Sequence, residues 1–304
     1  MKLPTRKDVL EAAKRIDGLV KRTPVMTSRA VNAAVGAELF FKGEHLQSAG
    51  AFKFRGASHF VSRMTDAENK RGVITHSSGN HAQALALAAL RAGISATIVM
   101  PEGSNPLKKA ATLGYGANVI ECVNTQQERE RTCREEMERT GMVLVHPYDD
   151  WRIIAGAGTA ALELLEDVPD LDAVIAPVGG GGLLAGTALA SEKCPVYAAE
   201  PAGADDAYRG FKSGKRVTEQ VPNTVSDGLR TCVGELNFEI IRHHVSDIGL
   251  ASDAETIEAM KLVHTRMKQL IEPSSAVPLA CLMNGALPAT GKIGIIISGG
   301  NVAL

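Results

Sequence analysis

Short β-rich runs alternate with longer helical patterns along most of the chain, and this alternation restricts the fold more than any other feature. Val73–His76, Ala96–Met100, Asn118–Cys122 and Val143–Val145 read as strands, separated by helical stretches at His81–Gly93, Asn105–Leu113 and Gln126–Thr140. A second series follows: a helix at Trp151–Leu165, a strand at Ala173–Ala176, a glycine turn, a helix at Leu183–Ala190 and a strand at Val196–Ala199. Parallel neighbours need a crossover, which a helix usually supplies, so the pattern predicts an α/β protein with largely parallel sheets. Ser252-Asp-Ala-Glu255 is a capping box opening a helix to about Leu270, and Ile293–Ile297 is a strand running into Ser298-Gly-Gly-Asn301. The element count predicts two open α/β lobes. The smaller, mobile one covers 65–143 and is inserted into a larger one made of 1–64 and 144–304.

In open α/β sheets, ligands bind beyond the carboxyl ends of strands, where loops lead into helices. Three such turns are rich in glycine and hydroxyls: Ser77-Ser-Gly-Asn80, Gly179-Gly-Gly-Gly182 and Ser298-Gly-Gly-Asn301. Four bare amides at a helix start can close on an anion, although a tight strand-to-helix turn is the competing reading. No Lys-Ser/Thr follows the glycines and the spacing fails G-x-G-x-x-G, which excludes a Walker loop and a dinucleotide fingerprint. A phosphate belonging to neither NTP nor NAD fits better.

Charge narrows the function further. A formal net charge of -1 gives no electrostatic case for nucleic acid or an anionic membrane. The longest apolar runs, near Ala84–Leu90 and Val174–Val178, fall far short of the roughly 20 residues that span a bilayer. The first residues lack the apolar core of a signal peptide, and the five cysteines are scattered without a CxxC pair. Reduced thiols in a cytoplasm are expected. The adjacent His243 and His244 would diverge on a helix, so a solvated pair is expected there rather than a metal site.

Lysines usually lie on solvated faces. Lys53 instead sits between Phe52 and Phe54 among small residues, which would desolvate its amine and lower its pKa, as a Schiff-base lysine requires.

Ala51-Phe-Lys-Phe-Arg-Gly-Ala57, His76-Ser-Ser-Gly-Asn-His81, Pro177-Val-Gly-Gly-Gly-Gly182 and Ser298-Gly-Gly-Asn-Val302 occur in an order and spacing that resembles the fold-type II pyridoxal-phosphate enzymes. That fold is tryptophan synthase β-like, with the cofactor between the two lobes. The chain looks most like the branch holding serine racemases, serine/threonine dehydratases and 3-hydroxyaspartate dehydratases, from about residue 20 to its end. The regulatory region of biosynthetic threonine dehydratases has no counterpart in it.

The resemblance implies that Lys53 carries pyridoxal 5'-phosphate as a Schiff base and that Gly179, Gly180, Gly181 and Gly182 hold the phosphate. It implies further that Phe52 packs on the ring, Asn80 meets the phenolic oxygen and Ser298 the pyridine nitrogen. A hydroxyl at that nitrogen keeps the ring a moderate electron sink, which suits loss of a β-hydroxyl better than transamination. Ser77, Ser78, Gly79, Asn80 and His81 would bind the substrate carboxylate at a helix start, with helix capping as the competing reading. Ser78 matches the racemase serine on the cofactor face opposite the lysine, so it makes racemisation feasible without proving it. Arg129 would reach the substrate end and favour a second carboxylate, against a plain solvated face in Glu128-Arg-Glu-Arg131.

Glu200, Ala204 and Asp206 resemble the family's divalent-cation site, for Mg²⁺, Ca²⁺ or Mn²⁺, with a solvated acidic loop as the alternative. Ser48 and Arg29 depart from the residues animal serine racemases use for ATP, so nucleotide activation is not expected. Tyr148 replaces an asparagine near the cofactor. The expected activity is that of an ammonia-lyase on L-serine, L-threonine or L-threo-3-hydroxyaspartate, giving a 2-oxo acid and ammonia, with serine racemisation beside it. A dedicated racemase is the alternative; a β-replacement enzyme such as cysteine synthase fits less well, since those carry a Thr-Ser-Gly-Asn-Thr-type turn. The family suggests a homodimer.

Overall fold

The computed structural model describes residues 3–302; the first two and last two positions of the expected large lobe lie outside them. The chain begins with α1 (Arg6–Ile16), β1 (Val25–Met26), α2 (Arg29–Val35), β2 (Glu38–Gly43), α3 (Lys53–Ser62) and α4 (Asp66–Arg71). It then runs through β3 (Val73–His76), α5 (Asn80–Ala92), β4 (Ala96–Pro101), α6 (Pro106–Gly114), β5 (Asn118–Cys122), α7 (Gln126–Thr140) and β6 (Val143–Leu144). Next come α8 (Trp151–Asp167), β7 (Ala173–Pro177), α9 (Gly182–Ala190), β8 (Val196–Pro201), α10 (Asp206–Ser213) and α11 (Glu235–His244). The last elements are β9 (Asp247–Ala251), α12 (Asp253–Met267), α13 (Pro273–Met283) and β10 (Lys292–Ile297).

The strands form two sheets, ordered β1-β2-β10-β7-β8-β9 and β5-β4-β3-β6. All pairings are parallel except β1 with β2. In the six-stranded sheet the chain order reverses between β7 and β10. In the four-stranded sheet it reverses at β3, flanked by β4 and β6. Crevices at such switch points are where open sheets take ligands, and β3, β7 and β10 are the strands that end in the three glycine-rich turns.

Local chemistry sets the helix ends. Thr125 caps α7 through its hydroxyl, and the Ser252–Glu255 capping box opens α12. That helix stops at Met267, short of Leu270, because Lys268 takes a left-handed conformation. α3 packs between α5 and α8, with Phe54, Ala57 and Phe60 buried in the core around the smaller sheet. The helix that begins at Lys53 therefore touches both halves of the molecule. His243 and His244 lie exposed in the last turn of α11, where His243 pairs with Glu239 at 3.1 Å. All five cysteines are free, and among the described residues no helix is long and apolar enough to cross a membrane.

Candidate active site

The turns after β3, β7 and β10 line one cavity of about 1280 Å³, together with Phe52, Lys53, His81 and Arg129. Lys53 is the first residue of α3. The chain just before it pairs with the turn after β10: Phe52 N donates to Ser298 O at 2.9 Å, and Gly300 N to Gly50 O at 3.0 Å. Lys53 is half-buried; its Nζ donates to Pro147 O at 2.8 Å and lies 5.2 Å from the Phe52 ring centroid. Burial pulls its ammonium pKa down to about 8, against the opposing charge of Glu272.

On the small-sheet side, Gly79 N donates to Ser77 Oγ at 3.3 Å, and no side chain caps α5 at Gly79. Its first amides are open to a carboxylate. Ser78 lines the cavity. The His81 ring is buried, with Nε2 3.3 Å from Val145 O, and burial keeps it neutral. Arg129, in the first turn of α7, is half-buried, reaches the cavity and donates from Nε to Thr125 O.

The glycine run between β7 and α9 is pressed against Tyr148. A Cβ at Gly180 would fall 2.3 Å from the Tyr148 ring, and Gly181 has a φ of +92°. A side chain at Gly180 would displace the ring, and one at Gly181 would be strained by its φ and meet Asn237 at 2.8 Å. No side chain caps α9 either, so its amides remain for an anion. Asn237 Nδ2 ties the loop down, donating to Gly180 O at 2.7 Å and Tyr148 O at 3.1 Å. Asp149 accepts from the amides of Glu235 and Leu236 at the start of α11. His146 Nδ1 accepts from the Asp149 amide at 2.8 Å, which puts the proton of the neutral ring on Nε2; burial lowers its pKa to about 4. Burial also raises the Tyr148 phenol to about 12, so it stays protonated.

Ser298 is buried, with Oγ 3.0 Å from Ser275 Oγ; Ser275 Oγ in turn accepts from Gly299 N at 2.8 Å. Asn80 Nδ2 donates to Glu272 at 2.8 and 3.1 Å, and Asn80 Oδ1 accepts from Asn301 Nδ2 at 3.0 Å. Glu272, Ser275, Asn237 and His146 escaped the sequence reading, and Asn301 entered it only as the end of the third turn.

Glu200 and Asp206 are buried away from this cavity's lining, on β8 and at the start of α10. Glu200 accepts from the amides of Ala207 and Tyr208, each at 2.8 Å, and Asp206 from Gln220 Nε2 and Val233 N. Burial and the neighbouring carboxylate push Glu200 up to about 9, and burial pushes Asp206 up to about 6. Among the described residues no group of three or more His, Cys, Asp or Glu side chains could hold a metal. The expected set uses two carboxylates and the Ala204 carbonyl.

Two sheets whose glycine-rich turns meet in one cavity, with a lysine amine and an uncapped glycine cradle in its lining, make a site suited to a phosphate-bearing ligand. Residues 16–299 match the family of pyridoxal-phosphate dependent enzymes, and the chain belongs to that family. Its cofactor is pyridoxal phosphate, and its fold is that of the fold-type II members. The chain is 46% identical to the beta-hydroxyaspartate dehydratase of Paracoccus denitrificans, across 100% of this chain and 98% of that one. It is likewise 46% identical to the serine racemase of Dictyostelium discoideum, across 99% and 95%. The structure of maize serine racemase superposes with a TM-score of 0.97 at 42% identity, covering 100% of this chain and 95% of that one.

Proposed function

We propose that the chain is an ammonia-lyase of small β-hydroxy amino acids, acting on L-serine, L-threonine and L-threo-3-hydroxyaspartate, with serine racemisation as a second outcome. The observation that carries this reading is the Lys53 amine, bonded to the Pro147 carbonyl, in one cavity with the uncapped amides of α5 and α9. Full-length similarity to both a dehydratase and a racemase supports the pairing of outcomes.

Bound at Lys53, pyridoxal phosphate draws electrons from the substrate α-carbon, which makes the α-proton removable and the β-hydroxyl expellable. The chain's own residues do the rest. Gly179 to Gly182 would hold the phosphate, Phe52 would pack on the ring, Ser298 would meet the pyridine nitrogen and Asn80 the phenolic oxygen. The amides and hydroxyls of Ser77 to His81 hold the substrate carboxylate. Lys53 would take the α-proton as general base; its lowered pKa keeps a share of it neutral near pH 7. Ser78 returns a proton to the other face when the outcome is racemisation. Arg129 receives a second carboxylate, which distinguishes 3-hydroxyaspartate from serine. Residues 65–143 close over the substrate from the small-sheet side.

A divalent cation, Mg²⁺, Ca²⁺ or Mn²⁺, fits the Glu200 and Asp206 carboxylates with the Ala204 carbonyl. Two buried carboxylates that resist ionisation are a donor set that a cation relieves. The protein acts in the cytoplasm as a homodimer. Sedimentation of the holoenzyme as a monomer would reject this.

The test of the activity is Lys53→Ala, assayed for 2-oxo acid with serine, threonine and 3-hydroxyaspartate side by side. Loss of an acid/base group lowers the rate ~10²–10⁴-fold, so turnover above about 1% of wild type would show that Lys53 is not the base.

A further inference from the structure

Glu272 occupies the cap position of α13, directly before Pro273, yet its side chain does not cap that helix. It is buried in the wall of the cavity and takes the Asn80 amide nitrogen on both oxygens, at 2.8 and 3.1 Å. A carboxylate only accepts, so the amide must turn its nitrogen to it. The other end of the amide is fixed by the same logic. Asn301 Nδ2 donates to Ala49 O at 2.9 Å, which sets its own orientation, and donates to Asn80 Oδ1 at 3.0 Å. Asn80 thus has its oxygen occupied and retains one N–H beyond the hold of Glu272. Gly299 leaves room for this arrangement: a Cβ there would lie 2.8 Å from Glu272 Oε1 and 3.0 Å from Asn80 Nδ2.

We propose that Glu272 is a positioning residue of the cofactor site, fixing the Asn80 amide so that an N–H is kept for the phenolic oxygen of pyridoxal phosphate. The proposal rests on the reading that Lys53 and Asn80 hold that cofactor. The charged groups around Glu272 are Lys53 from α3, Lys108 from α6 and Asp227 from the turn at 227–229; Lys108 and Asp227 pair at 2.6 Å. Burial pushes the Glu272 carboxyl up to about 7, while the Asn80 hydrogen bond opposes the shift. Above that pH the carboxylate holds the Asn80 N–H. Below it, the protonated carboxyl brings a competing donor and the hold weakens. A phenolate oxygen is favoured by a fixed donor, so the balance between the ionised and neutral forms of the bound cofactor should follow Glu272.

The experiment compares wild type, Glu272→Met and Glu272→Gln as holoenzymes, reading absorbance at about 410–420 nm against about 330 nm across pH, and cofactor affinity. Methionine removes the acceptor. It should move absorbance from the longer to the shorter wavelength and weaken cofactor binding about tenfold, as expected for one charge-assisted hydrogen bond. Glutamine keeps an acceptor but cannot ionise, so it should restore the long-wavelength band and abolish its pH dependence near neutrality. A purely structural role would lower the melting temperature of the cofactor-free protein and leave the band ratio alone. A wild-type band ratio and affinity in Glu272→Met, or a wild-type pH dependence in Glu272→Gln, overturns the proposal. If Glu272→Met does not fold, Asn301→Ala removes the other hold on Asn80. It should shift the bands in the same direction, and an unshifted spectrum overturns the proposal equally. Absence of the long-wavelength band in wild type would defeat the cofactor reading itself, a separate failure.

Discussion

Lys53 should make the cofactor-free protein less stable than it would be without it. Its ammonium pKa falls from 10.5 to about 8 in the fold, chiefly through burial. That depression corresponds to about 3 kcal/mol of preference for the neutral amine. Between the two values the unfolded chain binds the extra proton and the folded one does not, so stability rises with pH across this window. Below about 8 both states are protonated and the whole penalty is present. Lys53→Met removes the charge and keeps an apolar stem, but it strands the Pro147 carbonyl that accepts Nζ at 2.8 Å, at a loss of about 1 kcal/mol. The variant should therefore be more stable than wild type by roughly 2 kcal/mol at pH 7, with the gap closing as pH approaches about 10.5. Urea unfolding of both cofactor-free proteins at pH 7 and about pH 10, with matched slopes, measures the difference. A less stable variant at pH 7, or a gap that ignores pH, would refute the argument that burial holds this amine near neutrality.

Ser78→Ala should abolish D-serine formation while elimination from L-serine falls less than about tenfold, since Lys53 serves that proton. Chiral chromatography beside a keto-acid assay decides it, and an alanine variant that still racemises would assign the second proton to another group. At Glu200 and Asp206, EDTA should lower the melting temperature and Mg²⁺ or Ca²⁺ restore it by mass action. A melting curve indifferent to chelator, metal and Asp206→Ala alike would leave only a buried acidic pair.

Periodicity made much of the fold legible, and particular residues hid the rest. β3, β4, β5, β7, β8 and β10 are short, mostly apolar runs, and their strand boundaries emerge within about two residues. β2 is masked by Lys42, which a sequence rule sends to solvent. Here it is fully buried, its Nζ 2.7 Å from both Glu163 and Thr23 O, while β2 pairs with β10 from Glu38 to Gly43. α13 is masked by Pro273, Ser274, Ser275 and Pro278, which read as loop; Pro273 is tolerated in the first turn, where its missing N–H has no partner to lose. The cavity follows the same division. The glycine turns and Lys53 announce themselves because their chemistry is local. Glu272 does not, since its partner Asn80 is 192 residues away and only the meeting of two sheets brings them together.

Lys53 and Arg55 show what separates a chemical charge from a structural one on a single helix. Two residues along an α-helix point about 200° apart, so the two cations of α3 face different surroundings. Arg55 is wholly buried and answered in full: Glu44 takes its Nε at 2.7 Å, Glu163 its Nη1 at 2.7 Å, and Lys21 O and Thr159 accept further bonds. Two carboxylates face Arg55 and Lys42, the charges balance, and the carboxyl of Glu163 is held below its usual range. Such a charge-balanced, fully hydrogen-bonded set holds α3 in place. Lys53 has a carbonyl for its hydrogen-bond partner, and Glu272, the carboxylate that acts on it, bonds to Asn80 instead. Deprived of direct pairing, the amine falls to about 8 and the carboxyl rises to about 7. Both groups then change protonation at little cost near neutrality, which general acid–base chemistry requires and a structural ion pair lacks. Local sequence marks Lys53, but it is the distribution of acceptors around each cation that leaves Lys53 titratable and Arg55 fixed.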